Sequence, residues 1–197
     1  MQSRAESKAS PAEVPKRAPS GLDFDAVYHE MADFVWRAAR RMGVSAPDAE
    51  DVVQEVFVIV HRRLAEFEGR AQLKTWLFRI LVHLVKHHFR TQKRKPGDRA
   101  TESGTELQSL VSSQVRGPAD ALERAEALRL VDRLLSQLDH DKRVVLVLAE
   151  MEEMTLAEIA EVVESNPNTV ASRLRAARKE FEAALSRFKA RESRQKP

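Results

Sequence analysis

Apolar residues return every third or fourth position through most of residues 24–93 and 122–185. That spacing winds a single apolar stripe along a helix and gives each helix one face to bury. Glycine, at only six of 197 residues, seldom interrupts it, and Ala, Leu, Arg, Glu and Val dominate the composition, which favours helix over sheet. The expected fold is all-α, as two small helical domains joined by a flexible linker.

Residues 1–21, with Pro11, Pro15 and Pro19 among Ser, Ala, Glu and Lys, have no apolar period and read as a disordered N-terminal tail. A first helix is expected from about Phe24 to Met42, with Gly43 as its stop. Ser45, followed by Pro47 and Asp48, caps a second helix reaching about Phe67, with Val52, Val53, Val56, Phe57, Val60 and Leu64 inward. A third helix from Leu73 to Lys93 buries Leu73, Trp76, Leu77, Ile80, Leu81, Leu84, Val85 and Phe89. Together these make a first domain over 22–94. Lys95-Pro96-Gly97, several Ser and Thr, and Gly117-Pro118 mark residues 95–118 as a flexible linker, with one short helical turn conceivable at Leu107 to Val111. A second domain spans 119–187, and a charged tail over 188–197 is expected to fray.

Charge is segregated along the chain. Residues 70–100 hold nine Lys and Arg against Asp98 alone, and residues 166–197 hold nine against three Glu. The stretches 21–69 and 101–165 are acidic, the second strongly so with fourteen Asp and Glu against six Arg and Lys. Two basic patches separated by acidic protein point to two contacts with a polyanion, the alternative being two solvated helix faces.

The second patch has an internal layout. Asp139 caps an apolar helix containing Val144 to Leu148, and Thr155-Leu-Ala-Glu158 fits a capping box that opens a short helix ending near Val163. Glu164-Ser165 is turn-like, and Asn166-Pro167 reads as an N-cap followed by proline at the first helical position. A short helix, a tight turn and a longer basic helix form a helix-turn-helix, with Ile159, Ala160, Val163, Val170 and Leu174 packing the two helices together. Asn168, Thr169, Ser172, Arg173, Arg175, Arg178 and Lys179 are then offered outward, where Arg can fork to guanine and small polar groups can hold phosphates. An ordinary helical hairpin with a basic face is the plainer reading. The turn itself is unusual, because such turns often use glycine.

Taken in order, three stretches resemble the extracytoplasmic-function, or group IV, sigma factors, the minimal two-domain branch of the bacterial sigma-70 family. Asp48-Ala-Glu-Asp51-Val-Val-Gln54-Glu55-Val-Phe57 is similar to regions 2.1–2.2. Thr75-Trp76-Leu77-Phe78-Arg79-Ile80 with the basic helix after it resembles regions 2.3–2.4, and Leu156 to Ala160 with Asn168 to Arg178 resembles region 4.2. The resemblance implies a transcription initiation factor that binds core RNA polymerase, recognises minus-ten and minus-thirty-five promoter elements and promotes melting. Residues 22–94 would be region 2, and 119–187 region 4. It puts Asp51, Gln54, Glu55 and Phe57 where the family docks on the largest polymerase subunit, with Phe57 at least partly core. Arg70, Lys74, Arg79, His83, Lys86, His87 and Arg90 fall where it holds single-stranded minus-ten DNA, with Lys93 and Arg94 as further phosphate contacts. Double-stranded minus-thirty-five DNA would meet Asn168, Thr169, Ser172, Arg173, Arg175, Arg178 and Lys179. Relatives commonly carry Asn at the position of His83 and often Asp at that of His87, which implies an altered minus-ten preference here. The family also implies an anti-sigma partner.

Other classes fit less well. The chain has no cysteine, no Walker loop, no glycine-rich nucleotide turn and no plausible triad, so neither an enzyme nor a cofactor is expected. His83 and His87, four apart on one helix, could in principle ligate a metal, but they lack cysteine or enough acidic neighbours, and no metal is expected. No apolar run approaches the ~20 residues of a membrane span, and the first 21 residues lack a secretory apolar stretch, so a cytoplasmic protein is expected. A stand-alone repressor or activator needs no second basic helix, and a sigma-mimicking antagonist needs no basic surface at Arg173 to Lys179.

Overall fold

A computed structural model of the chain describes residues 22–67, 72–94 and 118–195. The order is α1 (Phe24–Arg41), α2 (Ala46–Arg63), a 3₁₀ turn (Leu64–Glu66), α3 (Leu73–Arg94), α4 (Pro118–Leu135), α5 (His140–Glu150), α6 (Leu156–Val162) and α7 (Pro167–Gln195). There is no strand among the described residues. Most helix starts follow local side-chain chemistry. Asp23, Ser45 and Asp139 accept from the third residue on, and Thr155 and Glu158 form a reciprocal capping box. Each such cap satisfies donors that a helix start leaves unpaired, at about 1 kcal/mol.

α1 ends in a Schellman motif. Gly43 N–H donates to the Arg40 carbonyl at 3.0 Å and Val44 N–H to the Ala39 carbonyl at 3.1 Å. Gly43 takes φ +105°, a conformation a side chain would strain, so the expected stop is real and needs glycine. α2 is shorter than expected: it gives way to the 3₁₀ turn three residues before Phe67.

α1, α2 and α3 pack as a three-helix unit around Val35, Ala38, Val56, Phe57, Val60, Leu77, Leu81 and Val85, all at most 3% exposed. Trp76 packs against this core, with its ring 5.3 Å from that of Phe67, and so has a structural position. α4 to α7 form the second unit, in which the buried run Val144–Leu148 of α5 lies against α7. The residues expected between the domains, 95–117, and the turn at Leu107 to Val111 lie outside the described residues, as do 1–21.

Two features depart from the sequence reading. The tail does not fray by Phe188: α7 runs on to Gln195. After Pro167 the helix meets no glycine and no further proline before Pro197, while Ala, Glu, Lys, Arg and Leu sustain it. The two units also pack on one another, α3 against α6, and their buried residues form one continuous cluster.

Candidate polymerase and nucleic-acid interfaces

Three surfaces collect the expected functional side chains. On α2, Asp51, Gln54 and Glu55 are exposed and one turn apart, beside an open groove lined by Tyr28, Trp36, Arg37, Glu50 and Val53. Phe57 is not presented with them. It is 3% exposed, with its ring edge-on to Tyr28 at 4.8 Å and to Phe24 at 6.4 Å, so it supports the face from beneath. Val58, 47% exposed, is the apolar side chain that α2 actually offers outward, and the sequence reading passed over it.

The second surface is the basic side of α3. His83, His87 and Arg90 are exposed along it. Arg70 lies outside the described residues, as do the side chains of Lys93 and Arg94. The remaining three cations are already engaged. Lys74 donates to the Glu152 carbonyl at 2.9 Å, pairs with its carboxylate at 3.4 Å, and rests 4.9 Å from the Phe34 ring. Arg79 pairs with Glu161 at 2.9 Å, and Lys86 donates to the Val163 carbonyl at the end of α6 at 3.1 Å. Among the described residues there is no group of three or more His, Asp or Glu side chains that could hold a metal ion.

The third surface is the outer side of α6 and α7. Ile159, Ala160, Val163, Val170 and Leu174 are buried between the helices, as their spacing required. Asn166 accepts from Asn168 N–H at 2.8 Å, which tightens the start of α7. Asn168, Thr169, Ser172, Arg175, Arg178 and Lys179 are exposed, whereas Arg173 is half-buried and pairs with Asp141 at 3.3 Å. The turn without glycine is intact. Glu164 takes φ +54°, and Ser165 N–H donates to the Ala160 carbonyl at 2.9 Å, so a Schellman motif forms with a strained glutamate where glycine would be relaxed.

Side chains that join the two units were missed by the sequence reading. Glu152 is buried and pairs with both Lys74 and Arg41, the latter at 3.3 Å. Arg143 of α5 reaches the carbonyls of Arg41 and Arg40 at the end of α1. Burial pushes the Arg143 guanidinium down to about 10, against the pull of Asp132, which still leaves it charged at neutral pH. Burial likewise raises Asp132, against the opposing pull of Arg143, Arg40 and Arg41. No single helix pattern announces such contacts, because both partners sit on faces that read as solvated.

A helix-turn-helix at one end, an exposed acidic-amide face on the second helix and a basic third helix occur together in this chain. Residues 27–95 match the family model of sigma-70 region 2, and residues 128–181 that of sigma-70 region 4. The chain belongs to the sigma-70 family, in its extracytoplasmic-function branch. It is 33% identical over 143 residues to the RNA polymerase sigma-H factor of Pseudomonas aeruginosa, covering 71% of this chain and 74% of that protein. It is 30% identical over 154 residues to the ECF RNA polymerase sigma-E factor of Escherichia coli, covering 76% and 78%. In structure it is similar to the sigma factor RpoE solved with the anti-sigma factor NepR from Bartonella quintana, with TM-score 0.64, 19% identity and coverage of 83% and 97%. It is also similar to CnrH solved with the cytosolic domain of CnrY, with TM-score 0.57, 26% identity and coverage of 83% and 87%.

This sigma factor is therefore a DNA-binding transcription initiation factor that brings RNA polymerase to promoters, and not an enzyme. Among its described residues no helix is long and apolar enough to cross a membrane.

Proposed function

We propose that the three surfaces divide the work of promoter opening. Asp51, Gln54 and Glu55 dock on core polymerase, with Val58 as a small apolar anchor and Phe57 holding the face in shape. Mixed acidic, amide and apolar groups suit a partner that supplies cations around an apolar centre. Arg175, Arg178, Lys179 and the start of α7 read the double-stranded minus-thirty-five element, with Asn168, Thr169 and Ser172 on its phosphates and Arg173 behind them. The α3 face takes the single-stranded minus-ten element. Arg79, Lys86 and Arg90, with Lys74 and Arg70, hold phosphates, while His83 and His87 meet bases. Capture of unstacked bases offsets the few kcal/mol of opening without nucleotide hydrolysis.

Region 2 and region 4 in one chain carry this reading, since the pairing supplies both promoter contacts and a polymerase contact. Relatives solved with anti-sigma factors support a similar antagonist here, and partnership with polymerase supports a cytoplasmic site of action. The test is run-off transcription from genomic fragments by purified core polymerase. Sequence-dependent initiation is expected with the wild-type chain and not with Asp51→Arg/Glu55→Arg, and equal activity of that variant would sink the docking assignment. His83→Asn should shift the preferred minus-ten sequence in the same assay, and an unchanged preference would remove His83 from the base contacts.

A further inference from the structure

The groove between α1 and α2 has a volume of about 440 Å³ and starts close to the N-terminal end of α1. Tyr28 and Trp36 both line it, eight positions and therefore about 12 Å of helix rise apart. Both rings are accessible, Tyr28 at 41% exposure and Trp36 half-buried. The lining is also acidic, with the carboxylates of Asp33 and Glu50 against the guanidinium of Arg37. Among the described residues no cation holds either carboxylate. Exposed Asp51 and Glu55 alongside deepen the negative field. Aromatic walls with carboxylates between them suit a proline-rich, cationic strand, whose restricted backbone loses little entropy on binding.

The chain itself supplies such a strand next to the groove. Residues 1–20 carry Arg4, Lys8, Lys16 and Arg17 against Glu6 and Glu13, and proline recurs at 11, 15 and 19. In Val14-Pro15-Lys16-Arg17-Ala18-Pro19, two cations stand between two prolines with no acid. An extended proline-rich strand rises ~3.1 Å per residue, so Pro15 and Pro19 would lie about 12 Å apart, the separation of Trp36 and Tyr28. Lys16 and Arg17 would then fall about 6–9 Å beyond Pro19, level with Asp33, which is about 7.5 Å beyond Tyr28 on α1. The tether is long enough. Tyr28 lies one turn into α1, about 6 Å from its start, and the four residues from Pro19 to Asp23 span up to about 13 Å. Gly21 permits the reversal that this path needs.

From these matches we infer that the N-terminal tail of the same chain occupies the α1–α2 groove. It runs antiparallel to α1, with Pro19 at Tyr28, Lys16 and Arg17 at Asp33 and Glu50, and Pro15 at Trp36. A short tether gives an effective concentration on the order of millimolar, so a contact too weak for a free peptide still fills the groove. Gln54 lines the groove and also belongs to the proposed polymerase face, so the docked tail competes with core polymerase. That competition rests on the α2 docking assignment, whereas the docking of the tail does not.

The full chain lacks cysteine and has two tryptophans, so Ser10→Cys takes a nitroxide while fluorotryptophan reports Trp36 and Trp76 by fluorine NMR. The nitroxide is expected to broaden the Trp36 resonance. Lys16→Glu/Arg17→Glu should abolish the broadening, as should Asp33→Lys/Glu50→Lys, and the four changes combined should restore it. No broadening, or broadening that survives both charge reversals, overturns the inference. So does broadening that arises only between nitroxide-labelled and fluorine-labelled chains in a mixture, which would give the groove to a second copy. Core polymerase is titrated in parallel, and Lys16→Glu/Arg17→Glu is expected to tighten its binding about two- to fivefold by freeing the face. If the reversals release the tail and polymerase affinity does not move, the docked tail stands and the shared α2 face is refuted.

Discussion

Glu150, the last residue of α5, holds the guanidinium of Arg178 on the recognition helix at 2.6 Å. Both side chains are about half exposed, so the pair contributes at most ~1 kcal/mol to stability. Its larger effect falls on the surface proposed for duplex DNA, where it neutralises one cation and fixes its direction. Glu150→Gln is expected to tighten duplex binding about two- to fivefold at low salt, with the gain fading as screening rises. Fluorescence anisotropy on a labelled duplex at two ionic strengths measures it, and looser binding would mean the carboxylate aims Arg178 rather than restraining it.

Arg175 and Lys179, both exposed and one helical turn apart, are expected to differ in kind. If Arg175 forks to a guanine, Arg175→Ala costs about 1–3 kcal/mol and relaxes choice at one base pair. Lys179→Ala should weaken all sequences alike and reduce the salt slope by about one. A binding series over every single-base variant of the minus-thirty-five site distinguishes the two.

Glu164 spends its φ of +54° against a side-chain clash of about 1–2 kcal/mol. Glycine removes the clash but loses about 0.5–1 kcal/mol through its freer unfolded chain. Glu164→Gly should therefore stabilise the protein by roughly 0.5 kcal/mol, read as a higher urea midpoint by circular dichroism. A lower midpoint would mean that the Glu164 side chain makes a compensating interaction.

Region 4 should lose stability in acid. Hydrogen bonds from Thr155 lower the Glu158 carboxyl below its ordinary range. At Asp139 slight burial acts upward, and the hydrogen bonds from Lys142 outweigh it, so this carboxyl too is lowered. A carboxyl depressed in the fold adds stability that is present above its unfolded value near 4 and is lost as pH falls through the folded value. Urea midpoints should be flat between about pH 7 and 5 and fall below about pH 4, less steeply in Asp139→Asn/Glu158→Gln. Thr155→Ala should cost about 1 kcal/mol at neutral pH. An identical acid limb in wild type and double variant would remove these caps from the account.

Much of the fold was legible because its signals are local. Ser45, Asp139, Thr155 and Asn166 each act within three residues of themselves, and Gly43 stops α1 through its own φ. The helix-turn-helix was readable for the same reason, with Ile159 and Val163 one turn apart and Val170 and Leu174 likewise. The inward place of Phe57 was legible too, and its packing against Tyr28 and Phe24 removes it from the exposed docking face that the resemblance implied. Other features were not legible. Phe78 and Val82 fall outside the main stripe of α3, and a rule that allows each helix one buried face leaves them to solvent.

The order of residues was enough to determine most of the helices among the described residues, most of their ends and the two separate basic stretches, since propensity, capping and charge act over a turn or two of chain. Tertiary structure decided which charges meet. Lys74 and Glu152, or Arg79 and Glu161, stand about eighty positions apart, at separations of 78 and 82. Coulombic attraction depends on distance in space and on exclusion of water, and neither exists until the two units have packed.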